Sequence, residues 1–175
     1  MPPEQMPALS PTTVIITGAS GGLGAALARR YANSGANLGL IARRTTELER
    51  LARELAGKCA VHAADVRDSA TMRLVANDFM AQHGLPDIVI ANAGISVGTL
   101  TELAEDEQAF RDVFDINVIG MVNTFQPYVA AMRKRGYGVL VGIASVAGYR
   151  GLPGSSAYSA SKAAAISYLE SLRVE

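Results

Sequence analysis

Short uninterrupted apolar runs alternate along this chain with longer stretches whose apolar residues recur at every third or fourth position. Residues 13–17 form a short β-branched run, the pattern of a strand buried on both faces. A glycine cluster follows, then a helical stretch with Leu23, Ala26, Leu27 and Tyr31 on one face and Gly35 as its stop. Residues 38–42 read as a second strand. The next helix has Thr46 and Glu49 in capping-box spacing, Leu48, Leu51 and Leu55 as its stripe, and Gly57 beyond its end. Residues 59–63 are a third strand. Asp68 is placed to cap a helix whose stripe is Met72, Val75, Phe79 and Met80, ending at Gly84. Residues 87–91 are a fourth strand, and a long helical region over 105–135 is expected to break near 117–120. Residues 139–143 are a fifth strand, and a last helix starts at Ser156 or Ala157.

Strand–helix alternation with short connections predicts a parallel sheet covered by helices on both faces and joined by right-handed crossovers, a doubly wound α/β architecture. Residues 1–11 hold four prolines and no basic residue ahead of an apolar core, so they read as a flexible proline-rich tail and not as a secretory or transit leader. Residues 12–175 then form one domain. Its 49% hydrophobic and 18% charged content is that of a globular chain. Sixteen basic and sixteen acidic residues cancel, so no overall field attracts nucleic acid or an anionic membrane. No eighteen consecutive apolar residues occur, which predicts no membrane-spanning helix and a cytoplasmic setting. Cys59 is the single cysteine, so an internal disulfide cannot form; it sits in an apolar run and reads as a core residue. His62 and His83 have no partner at metal-ligand spacing, and no metal site is expected.

The glycine cluster carries the first chemistry. Gly18, Ser20, Gly21, Gly22, Leu23 and Gly24 lie between the first strand and the first helix, where ligands of such sheets bind. Glycine permits positive φ, lets a pyrophosphate approach the backbone, and lets the helix pack closely on the strand. The alternative is an ordinary glycine-rich turn. No Lys-Ser or Lys-Thr pair follows, which disfavours an ATP loop of the Walker type. The second strand ends in Ile41-Ala42-Arg43-Arg44 with no acid to bind a ribose 2′-hydroxyl. Guanidinium groups there suit a 2′-phosphate, so NADP(H) is expected in preference to NAD(H), with Arg43 the better candidate. Both arginines would otherwise be solvated charges leading into a helix.

Tyr158 and Lys162 stand one helical turn apart on one face. A free phenol has a pKa of about 10, and a neighbouring cation lowers it, making tyrosine a usable acid or base. Alone, this pair would read as a surface pair; its place after a fifth strand, in a sheet with a nucleotide site, favours chemistry. Ser145 follows that strand immediately and could hold a substrate oxygen, or merely cap a turn.

Together, Thr17-Gly-x-x-x-Gly-x-Gly24, Asp65-Val66, Asn92-Ala93-Gly94, Asn117, Ser145 and Tyr158-x-x-x-Lys162 closely resemble the short-chain dehydrogenase/reductase family, in order and in spacing, over nearly the whole chain after the tail. The resemblance implies a Rossmann fold of three α/β/α layers and hydride transfer between NADP(H) and a small carbonyl or alcohol. It implies that Asp65 meets the adenine through its side chain and Val66 through its backbone. Asn92, Ala93 and Gly94 would steady the sheet beneath the cofactor. Tyr158 would be the acid/base, Lys162 would lower its pKa and bind the nicotinamide ribose, and Ser145 would orient the substrate. Asn117 would hold a water linking Lys162 to solvent.

The chain departs from the family pattern in two places. Ser20-Gly21 stands where many NADP-dependent relatives have a basic residue, which leaves the 2′-phosphate to Arg43 and Arg44. The chain ends late in the Tyr158 helix, and relatives continue with two more strands and a substrate lid; the expectation is therefore a truncated enzyme whose fifth strand is left as an edge. Residues 94–100 and 147–156 are expected to border the substrate pocket, with Tyr149, Arg150 and Leu152 as candidate lining or plain loop packing. A homodimer or homotetramer through the Asn117 and Tyr158 helices is expected, with Phe125, Val129, Ile166 and Leu169 as outward apolar residues. A nucleotide-binding sensor or scaffold without turnover is the reading from another class, and an epimerase or dehydratase a weaker one on the same fold.

Overall fold

A computed structural model of the chain describes residues 12–55 and 59–175. The expected tail over 1–11 and Gly57 lie outside the described residues. Five parallel strands form one sheet in the order β3-β2-β1-β4-β5: β1 Thr13–Thr17, β2 Asn37–Ala42, β3 Cys59–Ala63, β4 Ile88–Ala91 and β5 Val139–Gly142. The helices are α1 Gly22–Ala32, α2 Thr45–Glu54, α3 Ser69–His83, α4 Glu107–Phe114, α5 Gly120–Arg135 and α6 Ser156–Val174. The expected doubly wound α/β architecture is thus what the chain adopts, and each predicted strand agrees with the observed one to within a residue.

β1 lies at the centre because every one of its residues is buried. Val14 pairs in register with Leu38 on one side and Ile88 on the other. Strand side chains alternate between faces. Val14, Ile16, Leu38, Leu40 and Ile90 therefore pack against α1 and α2, while Ile15, Ile41, Val89 and Ala91 pack against α3, α5 and α6.

Several local expectations are corrected. The α1 face that meets the sheet is Gly24, Ala25, Ala28 and Ala32; Leu23 and Ala26 are exposed and Leu27 and Tyr31 only half-buried. Small residues win there because they let the helix sit close on β1. α2 begins at Thr45 with Arg44 in the cap position and no side-chain cap, so Thr46 falls in the first turn and closes no capping box. Asp68 does cap α3, accepting from the N–H of Ala70 and Thr71 at 3.0 and 3.1 Å. The helical region before β5 breaks as a π turn over Asp115–Ile119. Phe125 is not an outward residue: it is fully buried in the core beneath α5, and Val129 and Leu169 pack against that core.

The far end of the sheet is tied by Arg135. Its guanidinium donates to the carbonyls of Leu85, Pro86 and Tyr137 at 2.9, 2.8 and 3.1 Å. It also meets Asp87, whose other oxygen accepts from the N–H of Thr13. β5 pairs with β4 along one side, and Val139 is half exposed. Among the described residues no helix is long and apolar enough to cross a membrane.

His62 on β3 has its ring against Phe79, with centroids 6.3 Å apart, and its Nε2 is buried with no hydrogen-bond partner among the described residues. Burial pushes its pKa below the ordinary value, offset in part by Asp78 and reinforced by His83. A histidine held neutral in the fold takes up a proton more readily when unfolded, so its contribution to stability is complete above about pH 6.5 and declines as pH falls through that value. Thermal melts between pH 7.5 and 5 should show a downward slope with acidification that is shallower in His62→Leu. Equal slopes in the two proteins would remove His62 as the cause.

Candidate functional site

The strand order reverses between β1 and β4, and the crevice beyond their carboxyl ends is where such sheets take ligands. Gly18 leaves β1 with φ +65°, and a Cβ there would lie 2.8 Å from the Ala93 Cα. A Cβ on Gly24 would lie 2.4 Å from the Gly18 carbonyl oxygen, so no side chain fits at either position. Gly22, at φ +51°, has open space where its side chain would be. α1 starts there with no side chain capping it, so its first N–H groups face the crevice without an internal partner of that kind. The loop is held from β4: Asn92 Nδ2 donates to the carbonyls of Thr17 and Gly18 at 2.9 and 3.3 Å. The N–H groups of Asn92 and Ala93 donate to the Thr17 hydroxyl at 3.1 and 3.2 Å.

A cleft of about 450 Å³ runs from this loop across Arg43, Arg44, Asp65, Val66 and Gly94 to Ile116. Arg44 Nη2 donates to the Ser20 hydroxyl at 3.1 Å, so Arg44 is the arginine that closes against the glycine loop, while Arg43 lines the cleft without a side-chain bond to it. The Asp65 carboxylate is gripped by Arg67, at 2.7 Å to Nη2 and 3.1 Å to Nε. That guanidinium holds the carboxyl below its usual range, with Arg43 adding at longer reach. Val66 is buried, and its carbonyl accepts from Asn123 Nδ2 on α5 at 2.8 Å. Bare glycines, an uncapped helix start and two guanidiniums give the cleft the chemistry to hold an anionic nucleotide.

The second group lies where α6 meets the end of β5. Lys162 is only 5% exposed, and its Nζ donates to the Ile143 carbonyl at 2.6 Å. Burial lowers its pKa. The same ammonium lies 5.7 Å from the centre of the half-buried Tyr158 ring. Ser145 follows two residues after Ile143 and caps the short turn Val146–Gly148, its oxygen accepting from the N–H of Ala147 at 3.2 Å. Gly148 seats that turn on α6, for a Cβ there would lie 2.8 Å from the Lys162 backbone. Tyr149 and Leu152, in the loop expected to border a substrate, are exposed.

Asn117 sits in the π turn, 1% exposed, and its side chain is taken up by protein partners. Oδ1 accepts from the N–H of Ile95 at 2.8 Å, and Nδ2 donates to the Ile95 carbonyl and the Ser161 hydroxyl at 2.9 and 3.0 Å. Its amide therefore ties the segment after β4 to α6. The π turn widens the helix at the residue that must face both neighbours.

The structure thus brings the predicted residues together as two groups along one edge of the sheet: Gly18 to Gly24 with Arg43, Arg44, Asp65, Val66, Asn92, Ala93 and Gly94, and Asn117 with Ser145, Tyr158 and Lys162. Four contributors were not foreseen. Arg67 grips Asp65, Asn123 holds Val66, and Ser161 receives Asn117. Thr99, buried, accepts the N–H of Ala157 at 3.1 Å and so caps the helix that carries Tyr158. Of these only Arg67, two residues from an acid, left a signal in the sequence.

The family profile described as short chain dehydrogenase matches residues 12–175. Oxidoreductase UcpA of Salmonella typhimurium is 37% identical over 172 residues, covering 95% of this chain and 64% of that protein. An 11-beta-hydroxysteroid dehydrogenase of Pinus massoniana is 39% identical over 166 residues, covering 93% of this chain and 46% of its own. The chain therefore spans about half to two-thirds of the length of these curated relatives. The X-ray structure of an alcohol dehydrogenase from the archaeon Thermococcus sibiricus, complexed with 5-hydroxy-NADP, superposes with a TM-score of 0.87 at 28% identity, over 93% of this chain and 70% of that one. With its glycine loop, its Asn92 clamp and its Tyr158–Lys162 helix on one sheet edge, this chain belongs to the short-chain dehydrogenase family.

Proposed function

We propose that this protein interconverts a carbonyl and an alcohol using NADP(H) in preference to NAD(H), with Tyr158 as the general acid and base. The observation that carries the reading is the buried Lys162 ammonium, fixed on the Ile143 carbonyl one helical turn from Tyr158 and at the same sheet edge as the glycine-lined cleft. The cofactor, when bound, supplies or accepts the hydride. The Thermococcus relative was solved with a modified NADP, which supports the cofactor class for this cleft.

The backbone of Gly18, Ser20, Gly22, Leu23 and Gly24 would hold the pyrophosphate, and Arg43 and Arg44 the 2′-phosphate, with Ser20 keeping Arg44 in place. Asp65 and Val66 would flank the adenine. Asn92, Ala93 and Gly94 form the floor. In the reducing direction the Tyr158 phenol gives its proton to the substrate oxygen; in the oxidising direction the phenolate takes that proton back. Lys162 stabilises the phenolate, and its field is strong because few waters reach it to screen the charge. Ser145 already accepts a hydrogen bond from Ala147, which leaves its own hydrogen to donate to the substrate oxygen. Asn117 acts by fixing Ile95 and Ser161, and through Ser161 the turn of α6 that bears Lys162. Pairing of two copies through the α4, α5 and α6 faces is a further part of the proposal.

Tyr158→Phe should lower NADPH-dependent reduction of a carbonyl panel by at least about 100-fold, the range of general acid–base assistance. NADPH affinity, followed by fluorescence, should change little. Full turnover in that variant would contradict the assigned role. Replacing Arg43 and Arg44 together by alanine should reduce the NADPH-to-NADH affinity ratio by about tenfold or more, the worth of a charge-assisted hydrogen bond. An unchanged ratio would move the 2′-phosphate contact elsewhere.

A further inference from the structure

Among the described residues, the Asp65 carboxylate is the single acid lining a cleft that also presents Arg43 and Arg44. Left alone, such an acid would repel a polyanionic ligand, and as a side chain two bonds long it could turn either way. Arg67 answers both problems. Its Nε and Nη2 engage both carboxylate oxygens in a fork, and its backbone N–H donates to Oδ1 at 3.0 Å. The guanidinium is itself held from behind, 3.8 Å from Asp112 on α4. The backbone beneath is pinned as well, since Asn123 donates to the carbonyls of both Val66 and Arg67. Each carboxylate oxygen carries lone pairs beyond those the fork uses, so the acid remains an acceptor of hydrogen bonds from a ligand.

We propose that Arg67 is a positioning residue that sets the base preference of the cleft: it holds Asp65 as an oriented, charge-compensated acceptor for a base bearing an exocyclic amine. This rests on the dinucleotide reading of the cleft. Adenine has an amine on its edge and can donate to Asp65. Hypoxanthine carries a carbonyl oxygen in place of that amine, and there it meets the carboxylate acceptor to acceptor. Phosphate groups elsewhere on the ligand are not repelled, because the carboxylate charge is matched by a guanidinium within hydrogen-bond distance.

The test compares NADPH with reduced nicotinamide hypoxanthine dinucleotide phosphate, binding of each being read by nicotinamide fluorescence with no need for turnover. The original protein should prefer the adenine form by about tenfold, the size of one hydrogen bond exchanged for an unpaired acceptor. Arg67→Gln should reduce that preference to less than about threefold, and Arg67→Lys should restore part of it, since lysine supplies the charge without the fork. The preference should also persist to lower pH in the original protein than in Arg67→Gln. Arg67, with Arg43 further off, keeps the Asp65 carboxyl ionised below its usual range, and that support is lost with the guanidinium. Because Arg67 is 41% exposed, these variants should fold, and a thermal melt checks it.

Full discrimination in Arg67→Gln would overturn the proposal and leave Arg67 a merely structural partner. Equal binding of both dinucleotides by the original protein would also overturn it, while the dinucleotide reading stands. Binding of neither would remove that reading, and this proposal with it.

Discussion

A lysine ammonium buried to 5% exposure is costly unless its charge and hydrogens are met, and among the described residues its hydrogen-bond partner is one backbone carbonyl, that of Ile143. Much of the structure around it serves to hold that arrangement. α6 must lie against the end of β5 for the bond to form, and Gly148 lets the intervening turn lie on the helix backbone. Asn117 reaches across from the π turn to Ser161, next to Lys162 in the chain, while Thr99 caps the same helix from the segment after β4. Four points of the chain thus converge on the first two turns of α6. A fold that only needed a solvated lysine would need none of them.

The same edge of the sheet meets a second constraint, that of packing bare backbone against bare backbone. Contact with Ala93 and Asn92 leaves no room for a side chain at Gly18, contact with the Gly18 carbonyl leaves none at Gly24, and a loop so bare has few contacts of its own. Its order is supplied from β4, through Asn92 and the Thr17 hydroxyl. β4 therefore does two things: it completes the central sheet, and it clamps the loop of its neighbour. The segment that follows β4 continues through Ile95, held by Asn117, to Thr99, so the glycine loop and the Tyr158 helix are joined by one short stretch of chain. This continuity is the physical reason that the two halves of the site share an edge.

How much of this can be read from the sequence depends on how local each determinant is. β1 is legible because burial on both faces leaves no polar residue in its interior, and the glycine cluster because its position between strand and helix has few other uses. The buried face of α1 is not, because Ala25 and Ala28 meet the sheet while Ala26 does not, a choice set by how closely the helix packs and invisible to hydropathy. Thr46 has the spacing of a cap, yet the helix starts one residue earlier. Phe125 reads as outward although it fills the core under α5. In the site, the motif residues are legible by type and order. Thr99, Asn123 and Ser161 are not, because their partners lie tens of residues away and no local pattern tells a bonded hydroxyl or amide from a solvated one. Asp65 is legible as an acid beside the cleft, but its engagement by Arg67 alters what that acid can do.

The central claim is that a dinucleotide lies along the edge formed by the glycine loop and the segment after β4. Hydrogen exchange of the backbone amides, compared with and without saturating NADPH, tests this most directly. Exchange should slow over residues 21–24 and 92–95 and stay unchanged at the opposite end of the sheet around Leu85 and Tyr137. Protection confined to the separate groove beside α4, lined by Leu100, Leu103 and Phe110, or no protection at all, would contradict it.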